Sequence, residues 1–420
     1  MASNGLLIVG ASHAGVQLAT SLRELGYDEP ITMVEASQYL PYQRPPLSKG
    51  FLLGSTGTDS LLFRNDQYWS EHDIKIVRNE EVCRIDMCGD GAGLAHGSSG
   101  NAFPFDRLAL AVGARTRLLP VPGAEEANVA YLRSLEDAVQ LRSRLERATR
   151  VVIAGGGFVG LEVAASIAKL GKLVTVVEAE SRLLGRAVGP EAADHVLRLH
   201  RENGIEILLG STISCILGAD GGATGVVASG ETIETDLVVA GIGVVPNTDL
   251  AMAIGLRCED GIWVDEHGVT SDGVTIAVGD CTNQPVPSQD GRQESRIRLE
   301  SVNNTTEQAK AAAQAMLNGV AEERSLPWFW SHQGDITIQI AGLTHGHDRV
   351  LTRLDAPKGR MSVLYYRDSR VIAAECVNSA AEFVALKSAI SRRSDIPFDR
   401  AADASVPLRT IISEAAQTAD

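Results

Sequence analysis

The sequence predicts an α/β protein: two Rossmann-like units built to the same plan, then an α+β domain from about residue 326. Three observations predict it. An apolar strand runs straight into a glycine-spaced turn twice, as LLIVGASHAG (Leu6 to Gly15) and VVIAGGGFVG (Val151 to Gly160). Each turn leads through a helical segment to a second apolar strand that ends in an acid, ITMVE at Glu35 and LVTVVE at Glu178. From SLPWFWS onward the pattern changes to short runs of period-two alternation, ITIQIAGL, RMSVLYYRD and RVIAAECV, which read as antiparallel sheet.

In the first unit Gly10 permits the tight turn after the strand, and Gly15 lets helix and strand pack closely. Ser12 takes the middle position, where it is small enough for a pyrophosphate to approach. The helix VQLATSLREL (Val16 to Leu25) stops at Gly26, a natural terminator. In the second unit Gly155, Gly157 and Gly160 take the three turn positions, and LEVAASIAKL (Leu161 to Leu170) stops at Gly171. Each helix N-terminus offers free N–H groups to phosphate. Glu35 and Glu178 lie 25 and 23 residues past their first glycines, the spacing of a carboxylate that grips a ribose. At Glu178 such a carboxylate accepts from a 2′-hydroxyl and repels a 2′-phosphate, which favours NADH over NADPH. Arg182 and Arg186 nearby could bind a phosphate instead. Two dinucleotides held by one protein usually exchange electrons.

Between and after these units the elements follow in order. YLPYQRPPLSKGFL is rich in proline and basic residues, and a polar stretch runs from it to about residue 80. DRLALAVGARTRLLPVPG (Asp106 to Gly123) reads as a strand and a crossover. TDLVVAGIG (Thr235 to Gly243) and VTIAVGD (Val274 to Asp280) read as strands, and EQAKAAAQAML (Glu307 to Leu317) as a helix. A helix over Ala381 to Ser391 precedes a tail without clear structure. The simplest division is a first domain of residues 1–115 and 240–325, an inserted second domain of 116–239, and an α+β domain of 326–420.

Composition narrows the class. Apolar residues at 44% and charged residues at 22% are ordinary for a soluble globular chain. The longest apolar runs, such as LVVAGIGVV, are too short for a bilayer, so no membrane span is expected. The N-terminus has no basic n-region, so no signal peptide is expected. Six cysteines without framework spacing fit reduced thiols in the cytoplasm. A net charge of −15 argues against nucleic acid, which requires a basic face. The histidines do not pair at ligand spacing outside the loop THGHD (Thr344 to Asp348), and no metal site is expected.

At this point a family resemblance enters. YQRPPLSK (Tyr42 to Lys49), VTIAVGDC (Val274 to Cys281), RLESVNNTTEQA (Arg298 to Ala309) and PWFWS (Pro327 to Ser331) resemble the NADH-dependent ferredoxin reductases. These flavoproteins serve bacterial cytochrome P450s and Rieske-type oxygenases. The resemblance runs colinearly from residue 5 to about 400 and implies a glutathione-reductase-like fold with FAD in the first unit and NADH in the second. It implies FAD contacts at Gly10, Ser12, Ala14, Gly15, Glu35, Arg44, Lys49, Val82, Arg133, Asp280, Val302 and Trp330. It implies NAD contacts at Gly155, Gly157, Gly160, Glu178 and Gly243. Asp280 would bond the ribityl chain, or else serve simple turn chemistry, while Val82 and Val302 would act through backbone or packing.

Lys49 carries the most chemistry. A lysine beside a flavin favours added negative charge, and the resemblance makes Glu162 the acid that holds it. The bland alternatives are a solvated loop lysine and an exposed acid at a helix start. Trp328 and Trp330 alternate on an extended segment and share a face, to cover the flavin, meet a partner or fill a core. His332 and Gly334 stand where many family members have an acid and a tyrosine.

The segments around Lys49 contain no cysteine, so no CxxC or CxxxxC relay stands beside the flavin. Electrons would leave directly: hydride from NADH to FAD, then single electrons to a [2Fe–2S] ferredoxin. Such partners are acidic, and docking on an acidic chain calls for a local basic patch. Arg296 with Arg298, or Lys387 with Arg392 and Arg393, are the candidates. The alternatives are an NADH oxidase or reductase of small acceptors, and a flavin-bearing regulator that responds to NADH. The state expected is a monomer or weak homodimer.

Overall fold

Strands in which every residue is apolar, such as LLIV, need cover on both faces. The computed structural model, which describes residues 3–125, 127–219, 221–286, 295–319 and 324–417, supplies that cover. The chain forms two compact units, one of residues 1–43, 58–115 and 244–325, the other of 44–57, 116–243 and 326–420.

In the first unit a five-stranded parallel sheet runs in the order Ile276–Ala277, Arg107–Leu110, Leu6–Val9, Ile31–Val34, Ile74–Val77. Its central strand divides its side chains between two cores. Leu6 and Ile8 join Leu18, Leu22 and Ala309 on one face, and Leu7 and Val9 join Phe105 and Ile262 on the other. Helices His13–Glu24 and Val302–Asn318 pack together over the first face. The unit also holds a three-stranded antiparallel sheet, Val82–Met87, Gly93–Gly97 and Ala102–Phe105, and a smaller mixed one, Ile262–Trp263, Thr282–Pro285 and Arg296–Ile297.

The second unit repeats the plan. Four parallel strands run in the order Glu206–Leu208, Leu173–Val177, Arg150–Ala154, Leu237–Ala240. Val151 and Ile153 enter one core while Val152 and Ala154 enter another. The first of these cores also takes Ile336, Ile338, Val363 and Val377 from a five-stranded antiparallel sheet. That sheet runs Trp328–Gln333, Ile336–Gly342, Arg370–Val377, Arg360–Arg367, Arg349–Asp355. Helix Phe158–Lys169 is covered by strand Trp328–Gln333, which explains its long run of buried residues from Gly160 to Ile167.

Three sequence expectations differ from the structure. Residues 44–57, placed with the first unit by sequence, pack in the second: Leu52 enters the core that holds Leu141 and Leu145, and the Arg142 guanidinium lies 5.8 Å from the Phe51 ring. The helix expected from Glu307 begins at Val302, because the Ser301 hydroxyl caps it by accepting from Asn304 N–H at 3.0 Å. The tail is folded, with helices Phe398–Ala401 and Leu408–Gln417. Its anchor is Arg353, which donates to the carbonyls of Ala401, Asp403 and Val406 and pairs with Glu382 at 3.1 Å.

Candidate functional site

The two glycine turns are built alike atom for atom. Gly10 N–H donates to Val34 O at 2.8 Å, and Gly155 N–H to Val177 O at 2.8 Å. Both glycines have a left-handed φ, +101° and +105°, and a Cβ on either would meet a backbone oxygen, Ala111 O at 2.5 Å or Gly241 O at 2.6 Å. A Cβ on Gly15 or Gly160 would overlap the carbonyl of Gly10 or Gly155, which is why helix and strand approach so closely there. The strand-end acids brace the turns. Glu35 accepts from Ala11 N–H at 2.7 Å and from Ser37 N–H at 3.1 Å. Glu178 accepts from Gly156 N–H at 2.6 Å and from Glu180 N–H at 2.8 Å.

The helix starts beyond these turns are open. Ser12 and Gly157 occupy the N-cap positions without a side-chain cap, and neither helix has an acid in its first turn. By contrast, helices Asp66–Glu71, Leu135–Leu145 and Val302–Asn318 are closed by Asn65, Ser134 and Ser301. A Cβ on Gly157 would meet nothing within 4 Å. Uncapped N–H groups and a carboxylate at the end of the second strand fit a dinucleotide phosphate and ribose in each unit, with open space at Gly157 besides in the second.

Within the first unit the loop carrying Asp280 closes onto the turn. Gly279, with φ +88°, leaves only 2.9 Å between where its Cβ would be and the Ala14 methyl. Gln308, fully buried, accepts from Gly279 N–H at 2.7 Å and bonds the Thr282 hydroxyl. The structure thus gathers Gly10, Ala14, Gly15 and Asp280, and Gln308 is the residue that sequence reasoning missed. Its signal, a glutamine on the buried face of an alanine-rich helix, is faint without the fold. Val302 opens that helix, whereas Val82 is buried in the core with Val9 and Val34.

In the second unit Lys49 and Glu162 form an ion pair at 2.6 Å. The Lys49 side chain retains 22% exposure and that of Glu162 only 9%, so Glu162 is not the exposed helix-start acid of the alternative reading. Pro45 and Pro46 set the short 3-10 turn that delivers Lys49, whose Nζ also donates to Pro45 O at 3.0 Å. Two serines complete the carboxylate. Ser48 Oγ donates to Oε2 at 2.6 Å and Ser331 Oγ to Oε1 at 2.7 Å, while Ser166 Oγ fixes Ser48 by donating to its carbonyl at 2.7 Å. All three serines are buried, and the contacts span 114 to 169 residues of sequence, so no local pattern announces them.

The remaining candidates are placed as follows. Arg44 precedes the Pro45–Ser48 turn, and Arg133 N–H donates to Asp137 Oδ2 at 2.9 Å beside the capping box of Ser134. Trp330 stacks on Trp328 with ring centres 5.1 Å apart, and Phe329, on the other face, meets Phe158 at 4.5 Å. Gly243 has φ +102°, and the Arg186 guanidinium comes within 3.2 Å of where its Cβ would sit. Arg182 is occupied with Gly185 O and Val188 O at 2.7 and 3.0 Å. Cys281 and Cys376 are fully buried, and burial pushes both thiols up to about 12. Cys83 lies at a register shift in strand Val82–Met87 and Cys88 just past its end; both are exposed, and all six cysteines are free.

A chain with two acid-braced dinucleotide turns and a half-buried lysine paired to a buried carboxylate is a two-dinucleotide oxidoreductase. It belongs to the pyridine nucleotide–disulphide oxidoreductase family, whose model matches residues 5–315, and a reductase C-terminal domain matches residues 328–412. The family depends on FAD and NAD(P)H. Rhodocoxin reductase of Rhodococcus erythropolis is 38% identical over 409 residues, which cover 97% of this chain and 94% of that one. Putidaredoxin reductase, in the structure of its covalent complex with putidaredoxin, superposes with a TM-score of 0.92 at 36% identity, covering 99% of this chain and 100% of that one. The ferredoxin reductase for the CYP199A2 system of Rhodopseudomonas palustris gives 0.90 at 38% identity, covering 98% and 100%. No helix among the described residues is long and apolar enough to cross a membrane.

Proposed function

We propose that this chain is an NADH:ferredoxin reductase of the cytoplasm, which passes electrons from NADH through FAD to a [2Fe–2S] ferredoxin of an oxygenase system. The observation that carries the reading is the pairing of two acid-braced dinucleotide turns with six cysteines that are all free, none of them in the sequence segment around Lys49. Bound FAD would supply the chemistry, taking a hydride and returning single electrons. The residues around Gly10, Ala14, Glu35 and Asp280 would hold the flavin dinucleotide, and those around Gly155, Gly157, Gly160 and Glu178 the nicotinamide dinucleotide.

Lys49, a flavin contact by the family resemblance, would supply a positive charge, with Glu162 keeping its ammonium oriented. Glu178 would select NADH: its carboxylate would accept from the ribose 2′-hydroxyl, and Arg182, four residues on, is spent on carbonyls of its own loop. The test is anaerobic stopped-flow reduction with NADH and NADPH, followed by reoxidation with [2Fe–2S] ferredoxins. Fast reduction by NADH and faster reoxidation by a ferredoxin than by air support the reading. Reoxidation by air at the same speed identifies a small-acceptor oxidase instead, and a reduced form that neither oxidises identifies a regulator.

A further inference from the structure

The carboxylate of Glu162 does not end its network at Ser331. Gln333 Nε2 donates to Ser331 Oγ at 3.2 Å, and Gln333 Oε1 lies 2.7 Å from His200 Nε2. Ser331, Gln333 and His200 are all 0% exposed. We propose that Gln333 and His200 are positioning residues that fix the direction of the Ser331 hydroxyl, and so hold Glu162 and Lys49. The proposal rests on the reading of Lys49 as the lysine beside the flavin.

Only one polarity satisfies this chain. An ionised carboxylate only accepts, so Ser331 must donate its single proton to Glu162 Oε1. Ser331 Oγ is then left as an acceptor and requires an amide N–H, which fixes the orientation of Gln333. Gln333 Oε1 in turn requires a donor, so neutral His200 carries its proton on Nε2. Burial lowers the His200 pKa, and its Nδ1 has no partner, so the uncharged Nε2–H tautomer is the one the site accommodates. If the Gln333 amide were flipped, it would draw the Ser331 proton away from Glu162. His200 sits in helix Pro190–Glu202 and Gln333 at the end of strand Trp328–Gln333, both anchored by large cores. Rigid elements thus aim a short chain of donors at the carboxylate that holds Lys49.

A double-mutant cycle on the FAD-loaded protein tests this, read by the midpoint potential of the flavin and by its reduction rate at saturating NADH. Ser331→Ala removes a charge-assisted donor and slows reduction about tenfold, with a potential more negative by about 30 mV for a two-electron couple. Gln333→Met, similar in volume, gives about threefold in the same direction. In the Ser331→Ala background Gln333→Met adds nothing further, because it acts through Ser331. If Gln333→Met fails to fold, His200→Leu reproduces its effect and His200→Gln, whose amide can still donate, rescues it. Wild-type potential and rate in Gln333→Met, or effects that multiply in the double variant, overturn the proposal. Lys49→Met with unchanged potential and rate overturns the reading beneath it as well.

Discussion

At Gly10 and Gly155 the backbone conformation and the lack of space act together, so a single methyl group separates the two units by function. Gly10→Ala should lose FAD during purification, whereas Gly155→Ala should keep FAD and lose affinity for NADH. Each change is destabilising by about 1–3 kcal/mol from strain alone; flavin content and an NADH titration check the pair. Glu375 is a residue of another kind. It is 1% exposed and lies at the start of helix Pro190–Glu202, where Gly189 N–H donates to its two oxygens at 3.0 and 3.1 Å. Burial nevertheless raises its pKa from 4.5 to about 7, with Glu191 adding to the rise and Arg182 opposing it. A raised carboxyl stabilises the fold fully below its unfolded pKa and loses that contribution as pH climbs through the folded value. The loss between pH 4.5 and 7 is on the order of 3 kcal/mol. Thermal melts should therefore show wild type losing stability from pH 5 to pH 8, while Glu375→Gln stays flatter and melts higher at pH 8. Equal slopes would remove Glu375 from the pH response.

Elements were legible where their cause is local. The strands LLIV and VVIA, the helices after each turn, and the terminators Gly26 and Gly171 all follow from patterns within ten residues. The helix from Val302 was read five residues short because VNNTT has no apolar period, and its start depends on the Ser301 cap. Within the tail, Leu408, Ile411 and Ile412 do have helical spacing, and they pack with Phe383 and Leu386. What the sequence did not offer was their anchor, since Arg353 lies about fifty residues away from the carbonyls it binds. Its side chain is only 3% exposed. Arg353→Met keeps the volume and removes these bonds, leaving three carbonyls and Glu382 without their donor. It should cost about 2–4 kcal/mol and expose Arg400 and Arg409 to trypsin before the rest of the chain. A tail that resists cleavage as in wild type would show that its apolar contacts suffice. The same limit hid the Glu162 network: Lys49 and Glu162 were readable from motifs, but Ser331, Gln333 and His200 join them only through the fold.

For the molecule as a whole, the question is how a chain of net charge −15 would receive an acidic electron carrier. With a screening length of roughly 8 Å at physiological ionic strength, local cations outweigh the total. The structure narrows the two candidate groups. Arg296 lies 3.8 Å over the Trp263 ring and donates to Val264 O and Asn283 O, both at 2.5 Å. Arg298, with a side chain 11% exposed, pairs with Asp260 at 3.2 Å and with Glu300. These two arginines are committed to their own unit. Arg392 and Arg393 are exposed at the end of helix Ala380–Ser391, and Lys387 of that helix holds its ammonium 4.1 Å from the Trp328 ring that stacks on Trp330. Charge reversal by Arg392→Glu with Arg393→Glu should therefore raise the KM for ferredoxin about three- to tenfold at low salt. The NADH–ferricyanide rate should be unchanged, and the difference should fade as salt rises. Arg298→Gln should leave the KM for ferredoxin near wild type, because its charge is already neutralised within the fold. The reverse outcome, a KM that responds to Arg298 and ignores Arg392 and Arg393, would move the docking surface to the other unit.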